Sequence, residues 1–157
     1  ISSYAVRVLA RQSLIMAHSV PIVLAISAFT ERLTLESLLI IPALLLVWLT
    51  LLPIVLVVGL WAARMRDVGQ LVTVSLQFLV YMTPVFWMEG AVPTDSIFRL
   101  LIELNPFYHM VQLIREPLLG DPPAQLHWTG ALVTCGVAWL LASVVFPAAR
   151  GRVVYWL

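Results

Sequence analysis

The chain has 157 residues, of which 62% are hydrophobic and 11% are charged, and its formal charge at pH 7 is +1. Soluble domains carry about 25% charged residues, so this composition excludes an ordinary soluble domain and predicts an integral membrane protein. A charge so close to zero does not indicate nucleic-acid binding. The single cysteine, Cys135, excludes an internal disulfide and a cysteine cluster for a metal; it lies in an apolar run and is interpreted as a small apolar filler.

The first part of the chain predicts a surface helix followed by two membrane spans. Residues 1–13 predict a short amphipathic helix at the membrane surface, because Arg7 and Arg11 lie one helical turn apart with apolar residues between them. Residues 14–30 and 38–63 are the first two predicted spans. The second contains Pro53 in its interior, where we expect a kink. The chain starts without methionine or a signal peptide, so we expect that it begins inside a longer protein.

The third predicted span, residues 68–88, follows three charged residues, Arg64, Arg66 and Asp67. It is long enough to cross a bilayer, which takes about 20 helical residues. Four polar side chains recur at helical spacing on one of its faces: Gln70, Thr73, Gln77 and Tyr81. This polar stripe has two interpretations. It hydrogen-bonds a neighbouring helix, or it lines a path for a polar substrate.

Aromatic side chains cluster toward the outer half of the molecule: Phe78, Tyr81, Phe86, Trp87, Phe107 and Tyr108. They are interpreted either as an interfacial belt and packing or as rings that stack on sugar faces.

Residues 90–123 form an outer region that is predicted to hold two short helices dipping into the outer membrane face. The apolar segments 97–104 and 107–119 are each too short to span a bilayer. Asn105-Pro106 lies between them and predicts a break in the helix, because the α conformation is disfavoured for a residue before proline. A plain surface hairpin is the alternative. Asp121-Pro122-Pro123 ends the region, and residues 128–147 are the fourth predicted span.

The arginines predict the orientation in the membrane. Four spans place both ends of the chain on one side, with six arginines and one acid, and leave three arginines and seven acids on the other side. Because arginine excess marks the cytoplasmic side, we expect both ends to be cytoplasmic and residues 90–123 to face out.

Motifs for catalysis are absent from the sequence. It contains no GxxxxGK[ST], HExxH, CxxC or GxSxG pattern, so no P-loop ATPase activity, catalytic residue or metal site is assigned. One enzymatic alternative uses His109 with Glu103 or Glu116 as an acid/base pair in the membrane. That alternative is a membrane-embedded glycosyl- or acyltransferase.

The order of features resembles a known family. Arg66-Asp67-Val68 opens a span that Pro84-Val85 closes, Asn105-Pro106-Phe107-Tyr108-His109 precedes Arg115, and Tyr155-Trp156-Leu157 follows a basic pair at the end. This order is similar to the permease subunit of type-2 ABC exporters, and most similar within them to bacterial polysaccharide-export permeases for O-antigen, capsule or teichoic acid.

The resemblance implies an all-α integral membrane protein, with four transmembrane helices of a six-helix permease and two short re-entrant gate helices on the outer side. It implies a homodimer in the bacterial cytoplasmic (inner) membrane. It also implies a separate nucleotide-binding ATPase subunit that carries ATP and Mg, while this chain binds no cofactor. The exported substrate would be a lipid-linked glycan, such as the O-antigen of lipopolysaccharide, with a type-2 permease for drugs or other lipids as the alternative.

The resemblance also suggests roles for particular residues. Arg7 and Arg11 would couple the permease to the ATPase, and Asn105 and Pro106 would form the break between the gate helices. The substrate path would be lined by the polar stripe and nearby rings: Gln70, Thr73, Gln77, Phe78, Tyr81, Trp87, Phe107 and Tyr108.

Overall fold

The computed structural model describes residues 2–29, 34–84, 93 and 96–150, and these form helices with no strand among them. The helices are α1 Ser2–Phe29, α2 Ile40–Arg64, α3 Arg66–Met82, α4 Ile97–Glu103, α5 Pro106–Leu119 and α6 Gln125–Arg150, with a 3₁₀ turn at Leu35–Leu39 before α2. Three stretches of the described chain are helical, long and apolar enough to cross a membrane: Val6–Phe29, Leu35–Arg64 and Gln125–Pro147. The prediction of an all-α protein with membrane spans is confirmed at this level.

Helix α1 differs from the predicted division into a surface helix and a span. It is continuous from Ser2 to Phe29, because the sequence offers no glycine at the expected boundary near residue 13 and no proline before Pro21. Proline is tolerated inside a membrane helix when its surroundings satisfy the freed carbonyl. Arg7 and Arg11 therefore lie on the same continuous helix as the first predicted span.

Helix α3 corresponds to the third predicted span, but the described helix ends at Met82 and is shorter than the three candidate spans. Thr83 adopts an extended conformation with φ −89° and ψ 133°. The following Pro84 explains this, since a residue before proline is disfavoured in the α region. Residues 85–88 of the predicted span lie outside the described residues.

Helix α2 is the centre of the bundle, and α1, α3, α5 and α6 each pack against it. The main apolar cluster joins Ala43 and Leu46 of α2 to Leu113 of α5 and Ala131 of α6, and Cys135 packs against it as the expected small filler. Small buried residues recur along the α2-facing side of α6: Ala131, Ala138 and Ala142. Small residues let two membrane helices approach closely. Close van der Waals packing then stabilises their contact, because inside lipid there is no hydrophobic driving force between helices.

Pro53 lies inside α2, which is continuous through it. A proline has no N–H, so the Leu49 carbonyl loses its helical donor. The indole Nε1–H of Trp139 on α6 donates to that carbonyl oxygen at 3.1 Å. This bond satisfies an acceptor that a bilayer would otherwise leave unpaired, and it fixes the register of α6 against α2.

Replacing Trp139 with Phe should destabilise the folded chain by about 0.6 kcal/mol and at most ~1.7 kcal/mol, the range for hydrogen bonds between membrane helices. In a Pro53→Ala background the same change should cost less, because residue 53 then supplies its own N–H to the Leu49 carbonyl. Reversible unfolding in mixed micelles measures the coupling between the two sites. Equal costs in both backgrounds would contradict the assigned role of the indole.

Candidate functional site

The break between α4 and α5 is built by Asn105 and Pro106, as the sequence predicts. Asn105 is the N-cap of α5, and its side-chain Oδ1 accepts from the Phe107 N–H at 3.0 Å. Pro106 occupies the first turn, where its missing N–H costs nothing. The two helices have 7 and 14 residues, so neither is long enough to cross a bilayer.

The C-terminal end of α3 is tied to this break. Asn105 Nδ2 donates to Thr83 Oγ1 at 2.9 Å, and Thr83 Oγ1 donates to the Leu79 carbonyl at 2.8 Å. Arg115 Nη1 of α5 donates to the Pro84 carbonyl at 2.8 Å. The Leu79 carbonyl near the end of α3 is thus paired by Thr83, and the Pro84 carbonyl just beyond the helix is paired by α5, which links α5 to the end of α3.

The opposite end of α5 is held by hydroxyl groups from the start of the chain. Ser27 of α1 donates to the Leu118 carbonyl at 3.0 Å, and Ser37 of the 3₁₀ turn donates to the Pro117 carbonyl at 3.0 Å. The helix ends at Gly120, whose φ of 91° is the left-handed conformation that glycine adopts without strain. Thr34 donates to the Gly120 carbonyl at 3.3 Å.

A buried row of polar side chains joins α5 to α6, and we call it the histidine row: His109, His127 and Glu116. His109 Nδ1 lies 3.1 Å from His127 Nδ1. His109 Nε2 contacts the Glu103 carbonyl oxygen at 2.8 Å. His127 Nε2 lies 3.3 Å from Glu116 Oε1.

Tyr108 covers the histidine row. Its ring centroid lies 5.3 Å from that of His109 and 5.1 Å from that of His127. Tyr108, His109 and His127 are 2%, 6% and 5% exposed. Tyr108, which the aromatic cluster predicts to line a substrate path, is enclosed between α5 and α6.

Gly130 makes the close approach of α5 and α6 possible. A Cβ atom at this position would lie 2.3 Å from His109 Cδ2 and 2.6 Å from His109 Cγ. Real Cβ atoms do not approach other atoms so closely, so the His109 imidazole occupies space that only glycine leaves open.

The polar stripe lies on the side of α3 that the described helices leave open. Gln70, Thr73 and Gln77 are exposed, and Tyr81 is 76% exposed. The Thr73 hydroxyl donates back to the Gly69 carbonyl at 3.0 Å.

The other side of α3 closes an apolar groove of about 930 Å³ against α2. The α3 residues that line it include Val68, Val72 and Leu79, and Phe107 also contributes. At about 100° per residue, the centre of the polar stripe lies roughly opposite these positions. The helix therefore separates an apolar side from a polar one.

The remaining predicted residues are not gathered at one place. Phe78 is exposed near the stripe, Phe107 lines the groove, and Trp87 lies outside the described residues. Arg7 and Arg11 are both exposed, toward the start of α1.

The pairing that sequence reasoning missed is His109 with His127. A usable signal was present: His109 and Glu116 are seven residues apart on one helix and share a face, and the Asp121-Pro122-Pro123 turn returns the chain antiparallel beside them. The predicted acid/base pairs with Glu103 or Glu116 do not form. The Glu103 carboxylate binds Arg99 at 2.8 Å, and Glu116 contacts His127 instead.

This arrangement does not favour the enzymatic alternative. A transferase must bring its substrate to the catalytic pair, but His109 and His127 are buried under Tyr108 and do not line the groove between α2 and α3. Within the described residues, no three His, Cys, Asp or Glu side chains are grouped around a possible metal position.

Residues 2–119 match the family model described as ABC-2 type transporter. Searches of curated proteins and of solved structures found no significant match.

Replacing Gly130 with Ala should destabilise the chain by about 1–3 kcal/mol, the usual cost of overpacking, because the new methyl group must displace the His109 ring. Gly136 on the same helix is the matched control, since nothing lies within 4 Å of a Cβ built there. Gly136→Ala should be neutral or stabilising, since alanine is the better helix former. Thermal unfolding of the two purified variants measures the difference. Equal melting temperatures would contradict the tight packing of His109 on Gly130.

Proposed function

Because the chain belongs to the ABC-2 type transporter family, we propose that it is the permease of an exporter that moves a lipid-linked polysaccharide outward across the bacterial cytoplasmic membrane. The family supplies the membrane component of a transporter, so an ATPase partner and a lipid environment follow from it. Hydrolysis of ATP on that partner would drive transport, and we assign no catalytic residue to this chain. The substrate class is O-antigen, capsule or teichoic acid.

The observation that carries the proposal is the exposed polar stripe on α3. Side-chain amides such as those of Gln70 and Gln77 are costly against hydrocarbon, because lipid offers them no hydrogen-bond partner. Gln70, Thr73 and Gln77 are exposed beside the described helices, so in a membrane these side chains must meet water or another protein surface. A second copy of this chain, facing the first, would enclose the two stripes as the walls of a polar path.

The chemistry of the stripe suits a sugar polymer. Amide and hydroxyl groups exchange hydrogen bonds with sugar hydroxyls without binding them tightly. Tyr81 adds an aromatic face for the apolar side of a sugar ring and a polar tip. Phe78 lies beside the stripe, and we retain Trp87 as a further ring on the outer side. Phe107 and Tyr108 belong to the groove and the histidine row, so we no longer place them on the path.

The orientation follows from charge. Contacts between Ser27 and Leu118, between Thr83 and Asn105, and between His109 and His127 gather one set of helix ends. The opposite ends carry the arginines at the start of α1 and at the junction of α2 with α3. Arginine-rich ends are cytoplasmic, so we assign α4 and α5 to the outer face, where Asn105 and Pro106 hold the gate break.

Arg7 and Arg11 would meet the ATPase at the cytoplasmic end. Both side chains are exposed, and their separation by one turn places them on one side of α1. Because α1 is continuous, a push on these arginines would be transmitted along the first span toward Ser27 and α5.

Mutating the stripe tests the path. Gln77→Leu combined with Tyr81→Ala should lower ATP-driven export in proteoliposomes by about tenfold, equivalent to ~1.4 kcal/mol on the barrier, while assembly with the ATPase is kept. Gln77→Trp should obstruct long polymers more than short ones. Leu76→Trp on the groove side of the same helix is the matched control for added bulk. If export by the stripe variants falls only in proportion to loss of the dimer, the stripe packs helices and lines no path.

Mutating the arginines tests the coupling. Exposed ion pairs contribute about 0–1 kcal/mol each, so replacing both Arg7 and Arg11 with Gln should reduce export modestly. Replacing both with Glu adds repulsion and should uncouple ATP hydrolysis from export. Gln12→Glu, on a different side of α1, controls for added negative charge. Normal export by the double Glu variant, at normal protein level, would remove this assignment.

A further inference from the structure

The histidine row is a chain of three contacts whose two ends can only accept hydrogen bonds. One end is the Glu103 carbonyl oxygen beside His109 Nε2. The other end is the Glu116 carboxylate beside His127 Nε2. The two Nδ1 atoms face each other in the middle at 3.1 Å. Each of the three contacts therefore needs one hydrogen, and two neutral imidazoles supply only two.

From this count we propose that the row formed by His109, His127 and Glu116 is a proton-binding site that holds the outer helices α4 and α5 against α6. The third hydrogen is bound as an imidazolium or as a protonated Glu116 carboxyl. With it, all three contacts are hydrogen bonds. The ligand of this site is a single proton, and the proposal holds whatever the transporter exports.

Loss of the third hydrogen breaks one contact. Either the lone pair of His127 Nε2 faces the Glu116 carboxylate, or that of His109 Nε2 faces the Glu103 carbonyl, or the two Nδ1 lone pairs face each other. Buried acceptors that face each other without a hydrogen lose the bond and keep the desolvation cost. The row is therefore weakened as pH rises past the point where this proton leaves.

Gain of a fourth hydrogen also breaks the row. Two imidazolium rings would each carry Nδ1–H, and these hydrogens would point at each other across the contact between the rings. Two like charges would also share a site in which each ring is about 5% exposed. The row is strongest at intermediate pH and weakens toward both acid and base.

Protons reach the row through Glu116. Its side chain is 25% exposed, compared with 6% for His127. Its second oxygen, Oε2, accepts from the Ala124 N–H at 3.0 Å, which fixes the carboxyl group at the mouth of the row. The carboxyl thus has one oxygen anchored by backbone and one directed at the imidazole.

The charged groups on the elements around the histidine row either contact groups outside the row or are exposed. The Glu103 carboxylate of α4 pairs with Arg99, and Arg115 of α5 donates to the Pro84 carbonyl. Asp121 in the turn is exposed, and Glu36 of the 3₁₀ turn is partly exposed. On the spanning helices the described ionisable side chains are distant or exposed: Arg7, Arg11 and His18 on α1, Arg64 on α2, and Asp67 and Tyr81 on α3.

Loss of the histidine row would change how α4 and α5 are held in the bundle. The row joins the end of α4 and the first part of α5 to the start of α6, and Asn105 and Arg115 continue the connection to the outer end of α3. Breaking the row would remove polar contacts between α5 and α6 while leaving the packing of Leu113 on Ala131 and the hydroxyl contacts of Ser27 and Ser37. The proton thus strengthens one part of the contact between α5 and α6.

A direct test measures the hydrogen between the rings. In the full transporter in lipid bilayers, with ¹⁵N-histidine in the permease alone, we expect a scalar coupling between two ring nitrogens at neutral pH. The coupling should disappear at acid pH, where both rings carry Nδ1–H, and His109→Asn should abolish it at every pH. Absence of the coupling in the wild-type protein at all pH values would overturn the proposal.

A second test uses a side chain that supplies the third hydrogen permanently. In Glu116→Gln the amide N–H₂ donates to His127 Nε2, and the amide oxygen accepts from the Ala124 N–H. Hydrogen exchange of α5 amides in the wild type, corrected for the intrinsic rate, should rise by up to tenfold per pH unit on the alkaline side, as release of one proton requires. Glu116→Gln should lack this alkaline rise and keep the acid one.

Asp121→Asn is the matched control for loss of a carboxylate, and its exchange profile should follow the wild type. An alkaline rise in Glu116→Gln equal to that of the wild type would overturn the proposal. So would flat exchange in the wild type. Neither measurement requires transport, so a failure of the polysaccharide-export proposal leaves these outcomes unchanged.

Discussion

The pairing of backbone groups at the ends of α5 is the constraint on which the rest of the structure depends. A helix of 14 residues is too short to cross a bilayer, and the carbonyl and N–H groups at its ends need partners wherever water does not reach them. The chain solves this with side chains from distant parts of the sequence. Asn105 caps the start of α5, and Ser27 and Ser37 donate to carbonyls at its end. These bonds fix α5 relative to α1 and α2, and the other contacts of the outer region follow from that position.

The same need to pair backbone groups explains the contact between α2 and α6 inside the bundle. Pro53 removes the donor for the Leu49 carbonyl, and the Trp139 indole replaces it from α6. Small residues on α6, such as Ala138 and Ala142, let that helix approach α2 closely. Because hydrophobic burial provides little drive between helices inside lipid, the satisfied carbonyl and the seam of small side chains both contribute to the register of α6 on α2.

Features governed by local sequence were predictable. The break at Asn105-Pro106 depends only on neighbouring residues, and it occurs where the sequence places it. The apolar runs likewise indicate helices over the predicted spans, three of which the structure describes at spanning length. The continuity of α1 was not predicted, because Arg7 and Arg11 suggest a surface helix although no glycine or early proline interrupts the chain.

Features governed by tertiary contact were not predictable from one sequence. His109 and His127 are 18 residues apart and meet only because Gly130 leaves room for an imidazole between α5 and α6. A glycine in an apolar helix does not reveal which side chain will fill its space. The enclosure of Tyr108 is a consequence of the same contact, so its removal from the proposed path could not be anticipated from aromatic clustering alone.

The two sides of α3 connect these observations. Its apolar side packs toward α2 along the groove, and its polar stripe faces outward, so the helix lies between a fixed core and the space that we propose as the path. At its outer end Thr83 and Pro84 are bonded to Asn105 and Arg115, so α3 cannot rotate or tilt there without moving α4 and α5. Since a packed network has discrete arrangements rather than continuous ones, a change that frees α5 from α6 would shift the stripe as a unit. The short helices α4 and α5 and the polar stripe of α3 are therefore mechanically connected.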